Sequence, residues 1–355
     1  MKKGIFIIIM IVSIFTGCRQ KKANEIEIGA IVPLTGYSAI TGERFLKGLE
    51  MAVEDINREE LPFSFLIKVE DSKSTGKDAH TAYRKLSGSG IKYFAAFGGQ
   101  FIMGFAAETN NSDKILFASA APNTNLLNLT NRCFRIYPTI DMLTEEVKNQ
   151  IIQRGYRKIA VINAQNEAYS MCAESIIKKL MSLGIDVVMT ESYEPTCQDF
   201  KNIVNKVANQ DIDFIFSAGL GESSALLTKQ LYSNPKTMNI PIIGDTNYSN
   251  SENLAIIGDI KSPIYVVDSP IDSSFVQRFY DKYGQYPNAL SAYGYSVPCL
   301  IKDAVLELGV DCSADMVYEY IKNHHFDTVA GPIAFDSTTS EPILSLVTNS
   351  FLPKQ

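Results

Sequence analysis

The chain has 355 residues, 46% hydrophobic and 20% charged, with a net charge of -6. This is the composition of a globular protein rather than a disordered or fibrous one, and its length exceeds what one compact core holds and suits two domains. The acidic balance, with no Lys/Arg cluster beyond Lys21-Lys22, argues against nucleic acid as a partner.

The first element is a leader. Met1-Lys2-Lys3 is positive, and residues 5–15 are an apolar run too short to span a bilayer. The run ends in Phe15-Thr16-Gly17-Cys18. Small residues just before a cysteine resemble the lipobox of bacterial lipoproteins. That resemblance implies removal of a signal peptide, residues 1–17, and lipidation of Cys18. The exported protein would then be tethered to a bacterial membrane on its periplasmic or cell-surface side. No later stretch of the sequence is apolar enough to span a membrane.

Strand-like runs and helix-period segments then alternate. Residues 26–33 read as a strand. Residues 43–57 read as a helix with Phe45, Leu46, Leu49, Val53 and Ile56 on one stripe. Strands follow at 65–70, 93–97 and 115–119, with helices at 76–86 and 101–111 between them. The pattern restarts with strands at 158–163, 186–191, 214–218, 240–244 and 264–267. Helices are expected at 169–183, 200–209, 223–231, 273–283, 292–308 and 316–323. The alternation predicts an α/β fold with parallel sheets covered on both faces. Two such units facing each other leave a cleft at the carboxyl ends of their strands, where open parallel sheets bind ligands.

With Cys18 lipidated, Cys133, Cys172, Cys197, Cys299 and Cys312 remain, so at least one thiol is unpaired. Cys172 and Cys197 fall at one sheet end in this reading, which leaves a disulfide open in an oxidising compartment. No Cys-x-x-Cys pair occurs, and His80, His324 and His325 are scattered, so no metal centre is expected.

A family resemblance rests on several stretches. Ile28-Gly29-Ala30-Ile31-Val32-Pro33-Leu34-Thr35-Gly36 is followed by Gly42, Gly48, Ala52 and Asn57. Glu70-Asp71-Ser72, Phe134-Arg135, Asp141, and Arg157 to Ile162 with Tyr169 continue it, then Asp199-Phe200, Tyr293-Gly294-Tyr295 and Gly331 to Asp336. In this order they resemble leucine/isoleucine/valine-binding proteins, type 1 periplasmic binding proteins of ABC importers. The resemblance implies two doubly wound parallel-sheet lobes joined by three crossings, near 135–140, 266–269 and 329–333. Lobe one is then 25–137 with 268–328, and lobe two 138–267 with 329–355. It also implies a small-molecule ligand, ABC permease subunits as partners, no cofactor and no catalysis.

The resemblance implies where the ligand sits. The turn from Ser119 through Ala120, Ala121 and Pro122 to Asn123 and Thr124 matches one that holds an amino acid's carboxylate with backbone N–H groups, Asn123 or Thr124 adding a side-chain donor. Small residues there allow close approach of backbone to an anion; a plain strand-to-helix cap is the alternative. Tyr169 matches a tyrosine that covers the ligand from the opposite wall, or packs at a helix start. Asp245 would pair with a ligand ammonium, or cap its own turn, and the family's acidic position may instead fall on Thr246. Tyr37, Gln100, Phe101 and Leu220 complete the expected site. The loop Gly98 to Ile102 lacks the family's serine, Leu220 stands where leucine-binding relatives have a tyrosine, and Thr41 replaces an aromatic. The expected ligand is therefore an amino acid or a close relative, in a pocket that does not copy a leucine pocket.

Rival readings are a sensory receptor of the same fold, acting through a separate protein, and an exported enzyme. No nucleophile–base motif supports the enzyme. Gly219-Leu220-Gly221 lacks the third glycine of a dinucleotide fingerprint. Asp71, ahead of Ser72 and Ser74, reads as part of a helix-cap network.

Overall fold

The structure, a computed structural model, describes residues 24–122, 125–219 and 221–353, and for residues 246 and 247 the backbone alone. Cys18 and the leader, Asn123, Thr124 and Leu220 lie outside the described residues.

The chain opens with β1 (Glu25–Val32), α1 (Ala39–Arg58), β2 (Ser64–Asp71), α2 (Gly76–Gly88), β3 (Tyr93–Phe97), α3 (Gly99–Ile102), β4 (Ile115–Ser119), α4 (Leu126–Leu129) and β5 (Cys133–Arg135). The strands form one parallel sheet in the order β2-β1-β3-β4-β5. The chain continues through α5 (Ile140–Arg154), β6 (Lys158–Ala164), α6 (Glu167–Ser182), β7 (Asp186–Tyr193), α7 (Lys201–Ala208), β8 (Phe214–Ala218), α8 (Gly221–Tyr232), β9 (Ile242–Gly244), α9 (Ser251–Ile257) and β10 (Ile264–Asp268). These strands repeat the first order, as β7-β6-β8-β9-β10. Three helices follow, α10 (Ser273–Tyr283), α11 (Ala289–Leu308) and α12 (Ala314–Asn323). An antiparallel sheet of β11 (Phe326–Thr328), β12 (Gly331–Phe335) and β13 (Pro342–Leu344) comes next, and β14 (Val347–Phe351) returns antiparallel to β10.

Side-chain alternation along each strand splits its residues between two cores. In the second sheet Val161, Phe216, Ile243 and Val267 face α5 and α6. Their neighbours Ala160, Ile162, Ile215, Ile242 and Val266 face α7, α8 and α9. In the first sheet Ala30, Ala95 and Phe117 face α1 and α11, while Ile31, Ala96 and Ala118 face α2 and α3. Burial on both faces explains why these strands read as continuous apolar runs.

α1 and α11 pack backbone to backbone. A Cβ on Gly48 would meet the Ser291 carbonyl oxygen at 1.9 Å, and one on Gly294 would meet that of Phe45 at 2.1 Å. α1 buries the predicted stripe but begins at Ala39, four residues ahead of the predicted start. The predicted helix at 101–111 is instead α3 and a separate 3-10 turn, Ala106–Thr109, divided at Gly104, which packs on the Gly76 carbonyl.

The chain passes between the two cores three times. Ile136 packs in the first core and Ile140 in the second. Asp268 ends β10, and Ser269 bonds Tyr293 of α11. The third crossing corrects the expected one. Phe326, Ile333 and Phe335 bury in the first core beside Phe134 and Tyr318, so β12 does not carry the chain across at 329–333. The transfer comes after Leu344, where Leu346 packs in the second core and β14 joins β10.

All five described cysteines are free. Cys172 is buried between α6 and one face of the second sheet, while Cys197 packs on the opposite face with its thiol 3.4 Å from the Asp199 carbonyl. A bridge between them is therefore not formed. Asp71 ties loops rather than capping a helix. Its carboxylate accepts from the Leu34 and Lys73 amides, both at 2.8 Å, and from the Thr35 hydroxyl at 2.7 Å, while Thr75 caps α2 by accepting from the Asp78 amide at 3.0 Å.

Candidate ligand cleft

In a 2-1-3-4-5 sheet, the crevice lies where the first strand's two neighbours leave in opposite directions. Here that is at the ends of β1 and β3 in one lobe and of β6 and β8 in the other. A cavity lies there, with a volume of about 120 Å³. At roughly 10–15 Å³ for one water, it admits a solute on the order of ten non-hydrogen atoms.

Lobe one contributes Ser38 and Thr41 from the start of α1, Phe97 to Phe101 in part, Ala120, Pro122 and Leu290. Lobe two contributes Asn166, Ala168, Tyr169 and Cys172 around the start of α6, Ala218, Gly244 and Asp245 at strand ends, and Leu143, Thr144 and Val147 from α5. Tyr137 stands at the first crossing.

The structure thus brings Gln100, Phe101, Ala120, Tyr169 and Asp245 of the predicted residues to one cavity. Tyr37 sits at its edge, 61% exposed; its hydroxyl accepts from Gln100 Nε2 at 3.1 Å and its ring meets Phe101 edge-on. Ser119 and Ala121 are buried and do not line the cavity, and the Ser119 hydroxyl has no hydrogen-bond partner among the described residues. The backbone of Thr246 opens a 3-10 turn beyond Asp245.

The turn after β4 has an unusual backbone. Ala120 has φ +49°, a left-handed conformation that costs a non-glycine residue about 1 kcal/mol or more. Its carbonyl, and that of Ser119, accept from the Gly99 and Gly98 amides, each at 3.0 Å. Gly98 itself has φ +89°, and a Cβ there would strike the Phe101 ring at 2.5 Å. Among the described residues, the N–H groups of Ala120 and Ala121 donate to no protein acceptor. Successive unpaired amides around a left-handed residue form a nest suited to an anion.

The lobe-two wall is electronegative. Asp245 lines it, and no Lys, Arg or His does so among the described residues. Behind it Asp268 is buried, accepting from the Ser269 amide at 2.8 Å; burial, with the Asp245 charge adding, pushes its carboxyl up to about 7. Burial and then Asp245 likewise push the Tyr137 phenol well above its ordinary value. The Cys172 thiol, raised to about 12 by burial, stays neutral. The Asn166 side chain is committed to capping α6, accepting from the Ala168 amide at 3.0 Å.

Two contacts beside the cleft join the lobes. Arg44 of α1, 3% exposed, donates to Glu252 of α9 at 2.6 Å and to the Tyr286 carbonyl of its own lobe at 2.5 Å. Asn288, buried at the start of α11, donates to the buried Asn250 at 2.7 Å.

Sequence reasoning missed Tyr137, Thr144, Val147 and Cys172 as cavity residues. α5 was not expected as a helix, because its buried stripe of Ile140, Thr144, Val147 and Ile151 includes a threonine.

Two lobes with cleft-facing strand ends define a two-lobed α/β fold with a ligand cleft between the lobes. The comparisons agree: residues 25–347 match the model of the family described as Periplasmic binding protein, and the chain belongs to that family. It is similar to the Leu/Ile/Val-binding protein BraC3 of Rhizobium johnstonii, 25% identical over 65% of this chain and 64% of that one. It is also similar to the leucine-, isoleucine-, valine-, threonine-, and alanine-binding protein of Pseudomonas aeruginosa, 23% identical over 88% and 86%. Among solved structures, the branched-chain amino acid transporter substrate binding protein LivJ of Streptococcus pneumoniae, in complex with isoleucine, superposes with a TM-score of 0.81 at 18% identity, covering 91% of this chain and 95% of that one. A solute binding protein of an ABC transporter from Rhodopseudomonas palustris, in complex with 3,4-dihydroxy benzoic acid, does so with 0.82 at 16% identity, covering 92% of each. At such identities the likeness is one of fold, and neighbours of this shape hold both amino acids and aromatic acids.

Proposed function

We propose that this chain is the extracytoplasmic solute receptor of an ABC importer and binds an amino acid or a close relative in the interlobe cleft. The observation that carries the ligand class is the cleft's polarity. The unpaired amide of Ala120, which lines the cavity, offers a donor on lobe one, and Asp245 lines lobe two with a carboxylate, with no cationic side chain lining the cavity among the described residues. A zwitterion bridging them contacts both lobes at once, and only such a ligand shifts the protein toward its closed form. The closed form is then what ABC permease subunits recognise.

Thermal-shift and calorimetric screening of the mature protein against amino acids and against benzoates tests this. A true ligand at 100 times its Kd stabilises by about 2.7 kcal/mol, a shift of several degrees. For that ligand, Asp245→Asn should weaken binding by about 2–5 kcal/mol. Tight benzoate binding with no response to amino acids refutes the assignment. The tether is part of the same reading: Cys18→Ala should release the protein from the membrane fraction, and fatty acid still incorporated into the mutant would sink it.

A further inference from the structure

The cavity does not stop at the cleft. It continues into lobe two, between α5, α6 and the sheet, where Leu143, Val147, Cys172, Phe216 and Val267 line it. Leu143 and Val147 are one turn apart on α5. Phe216 lies two residues inside the end of β8, so the extension reaches roughly 6–7 Å below the strand ends at about 3.3 Å per residue. Interiors are normally close-packed, yet here the walls carry small side chains, Thr144, Cys172 and Ala218. The Thr144 hydroxyl is spent on the Ile140 carbonyl at 2.7 Å and on Ser175 at 2.9 Å. Leu143, Val147, Phe216 and Val267 make the wall largely apolar, and apolar space left empty costs stability that an apolar occupant returns.

We propose that this extension is a tail channel, in which the solute lays an apolar chain past Tyr137 into lobe two, between α5 and α6. The amino-acid head rests on the reading above; the channel does not. Chain length then sets affinity: each methylene removed from water tightens binding about fourfold, the equivalent of about 0.8 kcal/mol. A tail buried in lobe two also engages that lobe before the lobes close.

Calorimetry with glycine, alanine, norvaline and norleucine reads the length dependence. Affinity should rise through the series in the wild-type protein. Val147→Phe and Cys172→Leu fill the channel from different helices, and each should bring norleucine down to the level of alanine. A flat wild-type series, or a gradient that survives in both folded variants, overturns the proposal. A second measurement needs no head group. Methyl NMR of Leu143, Val147 and Val267 with 1-butanol as probe should show shifts in the wild type that Val147→Phe removes. If no amino acid binds at all, the head assignment fails, and the butanol shifts decide the channel alone: their presence supports it and their absence overturns it.

Discussion

Replacing Glu252 by glutamine should loosen the closed protein without touching the cleft. Arg44 is anchored to its own lobe by the Tyr286 carbonyl and reaches across to Glu252. Opening the hinge breaks only the second contact. A hydrogen bond between charged groups contributes about 1.5–3 kcal/mol. Glu252's side chain is 45% exposed, and solvent screening reduces this to roughly 1 kcal/mol. The glutamine keeps an acceptor and loses the charge. The ratio of closed to open forms should then fall about fivefold, and the apparent affinity with it wherever the closed form is the binding-competent minority. The Glu252 carboxyl is held below its ordinary value: burial raises it, but the backbone at the start of α9 and the Arg44 charge outweigh that. A depressed carboxyl contributes above its unfolded pKa and is lost as pH falls through its folded one, so the latch persists at pH 5. Calorimetry with the best ligand from the screen, alongside small-angle scattering of the free and bound protein, measures both quantities. An affinity unchanged within 1.5-fold, with the same radius of gyration, would refute the latch.

Two further predictions concern stability. Asp268 is raised to about 7, so the native state holds its proton where the unfolded chain has lost it. Its contribution should fall as pH rises from about 4 to 7 and level off above, by a few kcal/mol at most; Asp268→Asn should flatten that slope in denaturant titrations, and an identical slope in the mutant refutes the assignment. Gly48→Ala places a Cβ on the Ser291 carbonyl of α11, so chemical denaturation should show a loss of at least about 1–3 kcal/mol from overpacking, and a neutral result would mean the helices can separate at no cost.

The repeating sheets were legible because strands buried on both faces are continuous apolar runs. Tyr93–Phe97, Ile115–Ser119 and Phe214–Ala218 fall where the sequence places them. α9 escaped notice because only Asn253 and Ile257 of its seven residues are buried. The third crossing was misplaced because a short antiparallel sheet packs on a core already complete in periodicity, and nothing in Gly331–Phe335 says which lobe owns it. At the site, side chains that follow strand ends were readable: Ala120 follows β4, Asp245 follows β9, and Gln100 and Phe101 belong to the short α3 after β3. The floor was not, because Val147 and Cys172 look like ordinary core residues until the space between them is seen.

The pairing of α1 with α11 has a consequence for how the molecule forms. Tyr295 of α11 bonds Asp55 across 240 residues and Lys302 of α11 meets Glu59 across 243, while Tyr283 at the end of α10 bonds the Lys47 carbonyl across 236. The apolar stripe of α1 is thus synthesised early and covered late. Contacts of such separation slow folding, since chain entropy is lost before they form, although closure cost grows only with the logarithm of loop length. The strands β6 to β10 are contiguous, so lobe two can assemble on its own from the intervening segment. Once it has, it brings Tyr137 and Ser269 together and takes the residues between them out of the 240-residue loop that joins Asp55 to Tyr295, roughly halving it. Lobe two then acts as a splint for lobe one, and substitutions in its core should slow the burial of α1 even though they lie far from it.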